Sequence, residues 1–252
     1  MPADNRDINA EIGQCELDTS GTRRKSGQVG IRAHVKTVAM LCVIATGCAT
    51  TETAQENYSS LLEPNARQMN RRASDIFKVR LETSKGDIVI EVRRDWAPHG
   101  ADRFYNLVRA GYYDEARFFR VIQGRWAQFG INGDPHIANI WRTRFISDDP
   151  KGESNLRGTV AFAFAVPNGR TTQVFINLRD NSATHDREPF VPFGKVIAGM
   201  EIADMLNAEY GESAGGGIRG GKQDPIFRGG NRYLGEQFPR LDYIKRAAVI
   251  EN

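Results

Sequence analysis

Cysteine is scarce in this chain and confined to one end. Of 252 residues, three are cysteine (Cys15, Cys42 and Cys48), and none follows Ala49. A main domain without cysteine excludes disulfides, thiolate catalysis and cysteine-held zinc. Histidine is nearly as rare. His34, His99, His136 and His185 are scattered without ligand spacing, so no metal site is expected. An excess of one charge is also missing: 34 Lys+Arg against 31 Asp+Glu leave a net charge of +3, which argues against nucleic acid or an acidic surface as partner. The glycines at Gly215, Gly216, Gly217, Gly220 and Gly221 lack the strand–helix context of a phosphate-binding loop and read as a flexible loop.

Long apolar runs are absent too. The one candidate, residues 37–47, follows Arg32 and Lys36 and is too short to span a bilayer comfortably, but suits the core of an export signal. It ends in Ala45-Thr46-Gly47-Cys48, which resembles the lipobox of bacterial lipoproteins, where the cysteine is acylated and becomes the first residue. Ala45 stands where a larger aliphatic residue is usual, and ordinary cleavage after Ala49 is the rival reading. A lipid anchor at Cys48 is therefore expected, with a soluble periplasmic form as the alternative. Residues 1–28 carry five carboxylates, unusual for such a signal, so the translation start is expected further on, for example at Val29. Residues 1–48 thus form a signal region. Residues 49–75, polar and without a sustained period, read as a flexible tether. The domain proper occupies 76–252.

Within that domain, Phe77 to Glu82 and Ile88 to Arg93 alternate apolar and charged residues around the turn Ser84-Lys85-Gly86-Asp87, the pattern of an antiparallel hairpin. Pro98 opens a helix whose Phe104, Leu107 and Val108 form an i, i+3, i+4 stripe, ending near Gly111. Short strands follow around 117–122, 126–130, 159–164, 173–177 and 191–196, then a second helix over about 198–207. The glycine-rich stretch 211–235 reads as a long loop, and 243–250 as a closing strand. Many short strands and two helices predict a mainly β fold, a closed antiparallel eight-stranded barrel capped by the two helices.

The residues that carry chemistry are an arginine, amides and aromatics. Arg120 and Gln128 flank a turn at Gly124, and Gln173 and Phe175 share one face of a strand. Neither a nucleophile–base pair nor a metal set accompanies them, so they suit a reaction that needs positioning and hydrogen bonds only. The order hairpin, Pro-initiated helix, Phe118-Phe119-Arg120-Val121-Ile122, Gln128-Phe129-Gly130, Gln173-Val174-Phe175-Ile176 and Pro192-Phe193-Gly194-Lys195-Val196 resembles the cyclophilins, the peptidyl-prolyl cis–trans isomerases, from about Phe77 to Leu206.

That resemblance implies roles. Arg120 matches the arginine that donates to the twisted X-Pro amide, Gln128 and Gln173 the glutamines that orient it and hold substrate backbone. Phe175 matches the aromatic floor under the proline ring, and Ala163 a small groove residue. Rotation about an amide bond faces a barrier of ~18–20 kcal/mol, and a donor that favours the twisted state over both planar ones lowers it. A ~10⁵-fold acceleration needs only about 7 kcal/mol. Proline-containing polypeptides are the expected substrates, no cofactor is implied, and a monomer is expected.

The departures concern the pocket. Arg125 and Trp126 occupy positions that usually hold Phe and Met, Phe164 stands for a backbone-binding asparagine, and Phe119 for a histidine. Phe190 aligns with a further pocket position, either Thr184 or His185 fills another, and the loop 181–186 has no aromatic at the site where eukaryotic members place a tryptophan. With Arg125 in the pocket and no tryptophan, activity is expected to be present but reduced and cyclosporin to bind poorly. The leading expectation is an exported isomerase assisting folding in the bacterial envelope. The alternative is a weak or inactive module that binds proline peptides or a partner. The insertion 132–149 and the C-terminal extension resemble a bacterial branch of the family and are expected to pack against the barrel.

Overall fold

The computed structural model describes residues 58–217, 219 and 222–250. The expected signal region, the expected acylation site at Cys48 and residues 49–57 lie outside the described residues.

Alternation along the first hairpin builds the core. Strands β1 (Ile76–Thr83) and β2 (Gly86–Arg93) pair in register Val79↔Ile90 and Leu81↔Ile88. Their alternate residues Phe77, Val79, Leu81, Ile88, Ile90 and Val92 are buried while Lys78, Arg80 and Glu91 face outward. Helix α1 (Pro98–Arg109) then lays Phe104, Leu107 and Val108 on that core. Its start is held by Asp149, whose carboxylate accepts from His99 N at 2.7 Å and Gly100 N at 2.9 Å.

The rest of the sheet comprises β3 (Arg120–Ile122), β4 (Trp126–Phe129), β5 (Thr159–Phe162), β6 (Val174–Asn177), β7 (Pro192–Ala198) and β8 (Ile244–Ile250), in the spatial order β3-β4-β6-β5-β7-β2-β1-β8. All ladders are antiparallel. The expected closed barrel is corrected: the sheet curls through 216° and stays open, a half-barrel. Its edge strands β3 and β8 share no ladder. They meet only at their beginnings, through an isolated bridge between Arg117 and Tyr243 with Phe118 N→Asp242 O and Ile244 N→Ala116 O, both 2.9 Å. A three-residue β3 is too short to extend that bridge into a ladder.

Helix α2 (Pro135–Trp141) lies in the insertion, α3 (Ser182–His185) is one turn beside the candidate site, and α4 (Met200–Asp204) packs on β2. The reading of 211–235 as a loop is corrected by α5 (Asp224–Gln237). Pro225 sits in its first turn, and the helix kinks at Gly230, with φ 54° and ψ −145°. A Cβ on Gly230 would lie 2.1 Å from Gly133 O, so glycine there permits close approach of α5 to the α2 segment. Ile226, Phe227 and Leu234 of α5 join Phe119, Ile131 and Ala138 in a second apolar cluster. Insertion and extension thus pack on each other.

The tether expectation for 49–75 is likewise corrected from residue 58 onward. Leu61, Met69 and Ala73 are buried in the main core. Trp141 Nε1 donates to Leu61 O at 2.8 Å, and Asn106 Nδ2 to Arg71 O at 2.7 Å. Three spaced apolar residues anchor a polar segment whose composition hid them.

Candidate active site

Pairing register brings the predicted residues into one row. Arg120 on β3 faces Gln128 on β4, and Gln128 faces Phe175 on β6. Alternation along β4 sends Trp126 and Gln128 to the groove and Ala127 and Phe129 to the core. Gly130 follows with φ +106°, and a Cβ there would lie 2.4 Å from Thr172 O. That close approach sets β4 beside the segment carrying Gln173.

The polar half of the site is a chain of hydrogen bonds. Arg120 Nη1 donates to Gln128 Oε1 at 3.2 Å, and Gln128 Nε2 donates to Gln173 Oε1 at 2.8 Å. Both glutamines are buried, whereas the Arg120 side chain keeps 18% of its surface exposed. The guanidinium also lies over the Trp126 ring, 4.9 Å from its centroid.

The apolar half is a cavity of about 210 Å³ walled by Trp126, Ala163, Phe164, Phe175, His185 and Phe190, with Arg120 and Gln128 on its polar side. Phe175 and Phe190 meet edge to face at 5.5 Å, and Phe164 and Phe190 lie 4.5 Å apart. His185 packs against Trp126 and Phe175 at 5.4 Å each, so it is His185, not Thr184, that lines the cavity. Rigid aromatic faces beside convergent donors make a slot for a compact apolar ring attached to a polar backbone.

One sequence reading falls outside it. Arg125, expected in the pocket, sits exposed in the β3–β4 turn, its guanidinium carbon 5.8 Å from the Trp126 centroid. The turn residue precedes the strand, so the pleat that directs Trp126 inward does not apply to it. One ground for expecting a narrowed pocket is thereby removed. Phe119, next to Arg120, points to the opposite face and packs in the second cluster.

Five contributors were not legible in the sequence: Glu188, Glu212, Gly217, Arg219 and Gln223. Arg219 pairs with Glu188 at 2.5 Å and stands over Phe164 and Phe190, 4.7 and 5.7 Å from their centroids. Arg120 Nε donates to Glu212 Oε1 at 3.1 Å, and its Nη2 reaches the same oxygen. The hydrogen bond from Arg120 holds the Glu212 carboxyl below the usual range, as that from Arg219 does for Glu188. Four of the five come from a glycine-rich stretch without periodicity, where no spacing announces a partner. Among the described residues no cluster of His, Cys, Asp or Glu could hold a metal ion.

The match to known proteins agrees with this arrangement. Residues 78–223, more than half of the chain, match the family model of the cyclophilin type peptidyl-prolyl cis-trans isomerase/CLD. The chain belongs to the cyclophilins. It is 33% identical over 141 residues to peptidyl-prolyl cis-trans isomerase A of Dickeya dadantii, covering 54% of this chain and 74% of that protein. To peptidyl-prolyl cis-trans isomerase B of Escherichia coli it is 32% identical over 135 residues, covering 51% and 82%. Among solved structures it resembles a cyclophilin type isomerase of Cryptosporidium parvum, with a TM-score of 0.52 at 20% identity over 70% of this chain and 99% of that one. A second structure of that protein, in the presence of the dipeptide Ala-Pro, gives a TM-score of 0.50 at 21% identity over 69% and 99%.

His185 is expected to make the cyclophilin pocket sensitive to acid. Burial disfavours its imidazolium and lowers its pKa from 6.5, with Arg120 adding slightly to the shift and the hydrogen bond to the Asn181 backbone, Glu188 and Asp186 opposing it. His185 is therefore neutral at pH 7, and the wall stays apolar. On acidification the unfolded chain takes up this proton first, so the fold loses stability as pH drops below 6.5, and the pocket gains a cation at a still lower pH. Turnover measured by NMR exchange on a proline peptide is expected to fall on that acid limb. His185→Phe is expected to flatten it, and an unchanged limb in the variant refutes the assignment.

Proposed function

We propose that the chain catalyses cis–trans isomerisation of X-Pro bonds in polypeptides of the bacterial envelope, with Arg120 as the donor that stabilises the twisted amide. The observation that carries this reading is the count of donors on Arg120. A guanidinium has five N–H groups. Nε and one Nη2 hydrogen are spent on Glu212, and one Nη1 hydrogen on Gln128. Two N–H groups remain beside an aromatic cavity.

As an X-Pro amide twists, resonance is lost and the proline nitrogen regains a lone pair that accepts a hydrogen bond. An N–H waiting there binds the twisted state more strongly than either planar one, which is the condition for acceleration. Phe175 and its neighbours hold the ring while the preceding carbonyl turns. No bond is made or broken. The names of the relatives and the Ala-Pro dipeptide of the C. parvum protein support proline-containing substrates. The indole Nε1–H of Trp126 is buried and has no partner among the described residues.

The envelope setting rests on the apolar run 37–47 and on Cys48. Cys48→Ser is expected to move the protein from the membrane to the soluble periplasmic fraction, and an unchanged distribution refutes the anchor. The activity itself is tested by a protease-coupled isomerisation assay on the mature protein. Acceleration of a proline tetrapeptide establishes the enzyme. No acceleration from a protein that unfolds cooperatively overturns the enzyme reading and favours the binding module instead.

A further inference from the structure

The catalytic row is gripped from both ends by one stretch of chain. At one end Nε and Nη2 of Arg120 both donate to Glu212 Oε1, Nε at 3.1 Å. At the other end Gln173 Nε2 donates to Gln223 Oε1 at 2.8 Å, and Gln223 Nε2 returns to Gln173 Oε1 at 3.1 Å. Gln223 Nε2 also lies 3.3 Å from Gly216 O, back in the stretch that begins at Glu212. The series Glu212, Arg120, Gln128, Gln173, Gln223 is therefore continuous through hydrogen bonds.

Resting on the reading of Arg120 as the donor to the twisted amide, we propose that Glu212 and Gln223 are positioning residues that lock Arg120 and Gln173 from outside the barrel. A guanidinium on a long flexible stem, held by Gln128 alone, can swing about that single contact. Two contacts on different edges fix both its plane and its direction. Glu212 does not line the cavity, and it leaves two N–H groups of Arg120 unspent. It therefore supports the guanidinium rather than competing with substrate for it. Gln223 is buried, and its paired amide fixes which way the Gln173 amide points. Through that amide it fixes the acceptor offered to Gln128.

Glu212 is the residue to change, because its side chain is 54% exposed and its loss leaves no buried cavity. In the full chain, Glu212→Ala is expected to lower kcat about tenfold, short of the roughly 100-fold cost of a fully misplaced group. KM is expected to stay within about twofold, since the ground-state contacts are untouched. Glu212→Gln, which keeps an acceptor, is expected to restore most of the rate.

A second readout does not depend on turnover. The Arg120 Nε–Hε resonance in ¹H–¹⁵N spectra is expected to be protected from exchange in the wild type and in Glu212→Gln. In Glu212→Ala it is expected to be lost. A rise in kcat/KM in Glu212→Ala overturns the proposal in favour of a competing carboxylate, and an unchanged kcat overturns it outright. So does an unprotected resonance in the wild type. Should the wild type show no turnover, the activity reading fails, and the resonance alone decides whether Glu212 holds Arg120.

Discussion

Arg120→Ala is expected to lower kcat/KM about 100-fold while the protein stays folded. Removing one preorganised donor from a site where charge develops typically costs 10²–10³ in rate. The Arg120 side chain retains 18% exposure, so water can partly replace it and the lower end of that range applies. A 100-fold loss corresponds to about 2.7 kcal/mol of barrier. The loss should fall on kcat, because the hydrogen bond is worth most in the twisted amide and little in the planar ground states. Arg120→Lys should rescue little. An ammonium is a compact charge and cannot span Gln128 and Glu212 at once. Stability should fall by no more than about 1–3 kcal/mol, since the half-exposed Glu212 carboxylate rehydrates while the buried Gln128 Oε1 loses its donor. Comparison of kcat/KM and thermal midpoint in the two variants checks this, and a loss smaller than about threefold removes Arg120 from the mechanism.

Arg170→Ala should instead leave the chemistry formally intact and cost about 3–5 kcal/mol of unfolding free energy. Arg170 is 1% exposed and its partner Asp149 is 0% exposed, joined Nη1 to Oδ2 at 2.8 Å. Arg170 Nη2 also donates to Ser147 O, and backbone pairing between Ile146 and Arg170 ties the end of the insertion to the strand that leads to Gln173. Once Arg170 is gone, the Asp149 carboxylate is buried with only His99 N and Gly100 N as donors. Leaving one charge of a buried pair uncompensated is what makes such truncations expensive. Against a typical stability of about 5–15 kcal/mol, the loss is a large fraction of the total. Urea unfolding of Arg170→Ala, Asp149→Ala and the double variant measures it. The double variant should cost less than the sum of the singles. A single-variant loss under about 1 kcal/mol shows that the pair is not structural.

Legibility followed the range of the interactions. The β1–β2 hairpin and α1 were readable because period two and period 3.6 are local signals, repeated over enough residues to average out exceptions. Arg120, Gln128, Gln173 and Phe175 were readable because strand pairing places them through short motifs in order. Arg125 was misplaced because a single residue decides whether a side chain belongs to a turn or to the strand that follows. Helix α5 is hidden from the sequence because Gly229 and Gly230 locally signal a loop, whereas Gly230 serves close packing against Gly133. Residues 58–75 read as a tether in sequence because Leu61, Met69 and Ala73 follow no period, and only contact with the core gives them a place.

By itself, then, the sequence determined the strand and helix content of the first hairpin, the family, the donor–aromatic character of the site and the absence of cysteine chemistry from the domain. Each of these depends on residue identity or on neighbours close along the chain. Tertiary structure alone decided that the sheet remains an open half-barrel, that His185 rather than Thr184 walls the pocket, and that Arg125 lies outside it. It also decided that Glu212 and Gln223 reach back to Arg120 and Gln173 across separations of 92 and 50 residues. Contacts at such range leave no periodic trace in the chain, because they depend on how distant segments are folded together rather than on what stands beside them.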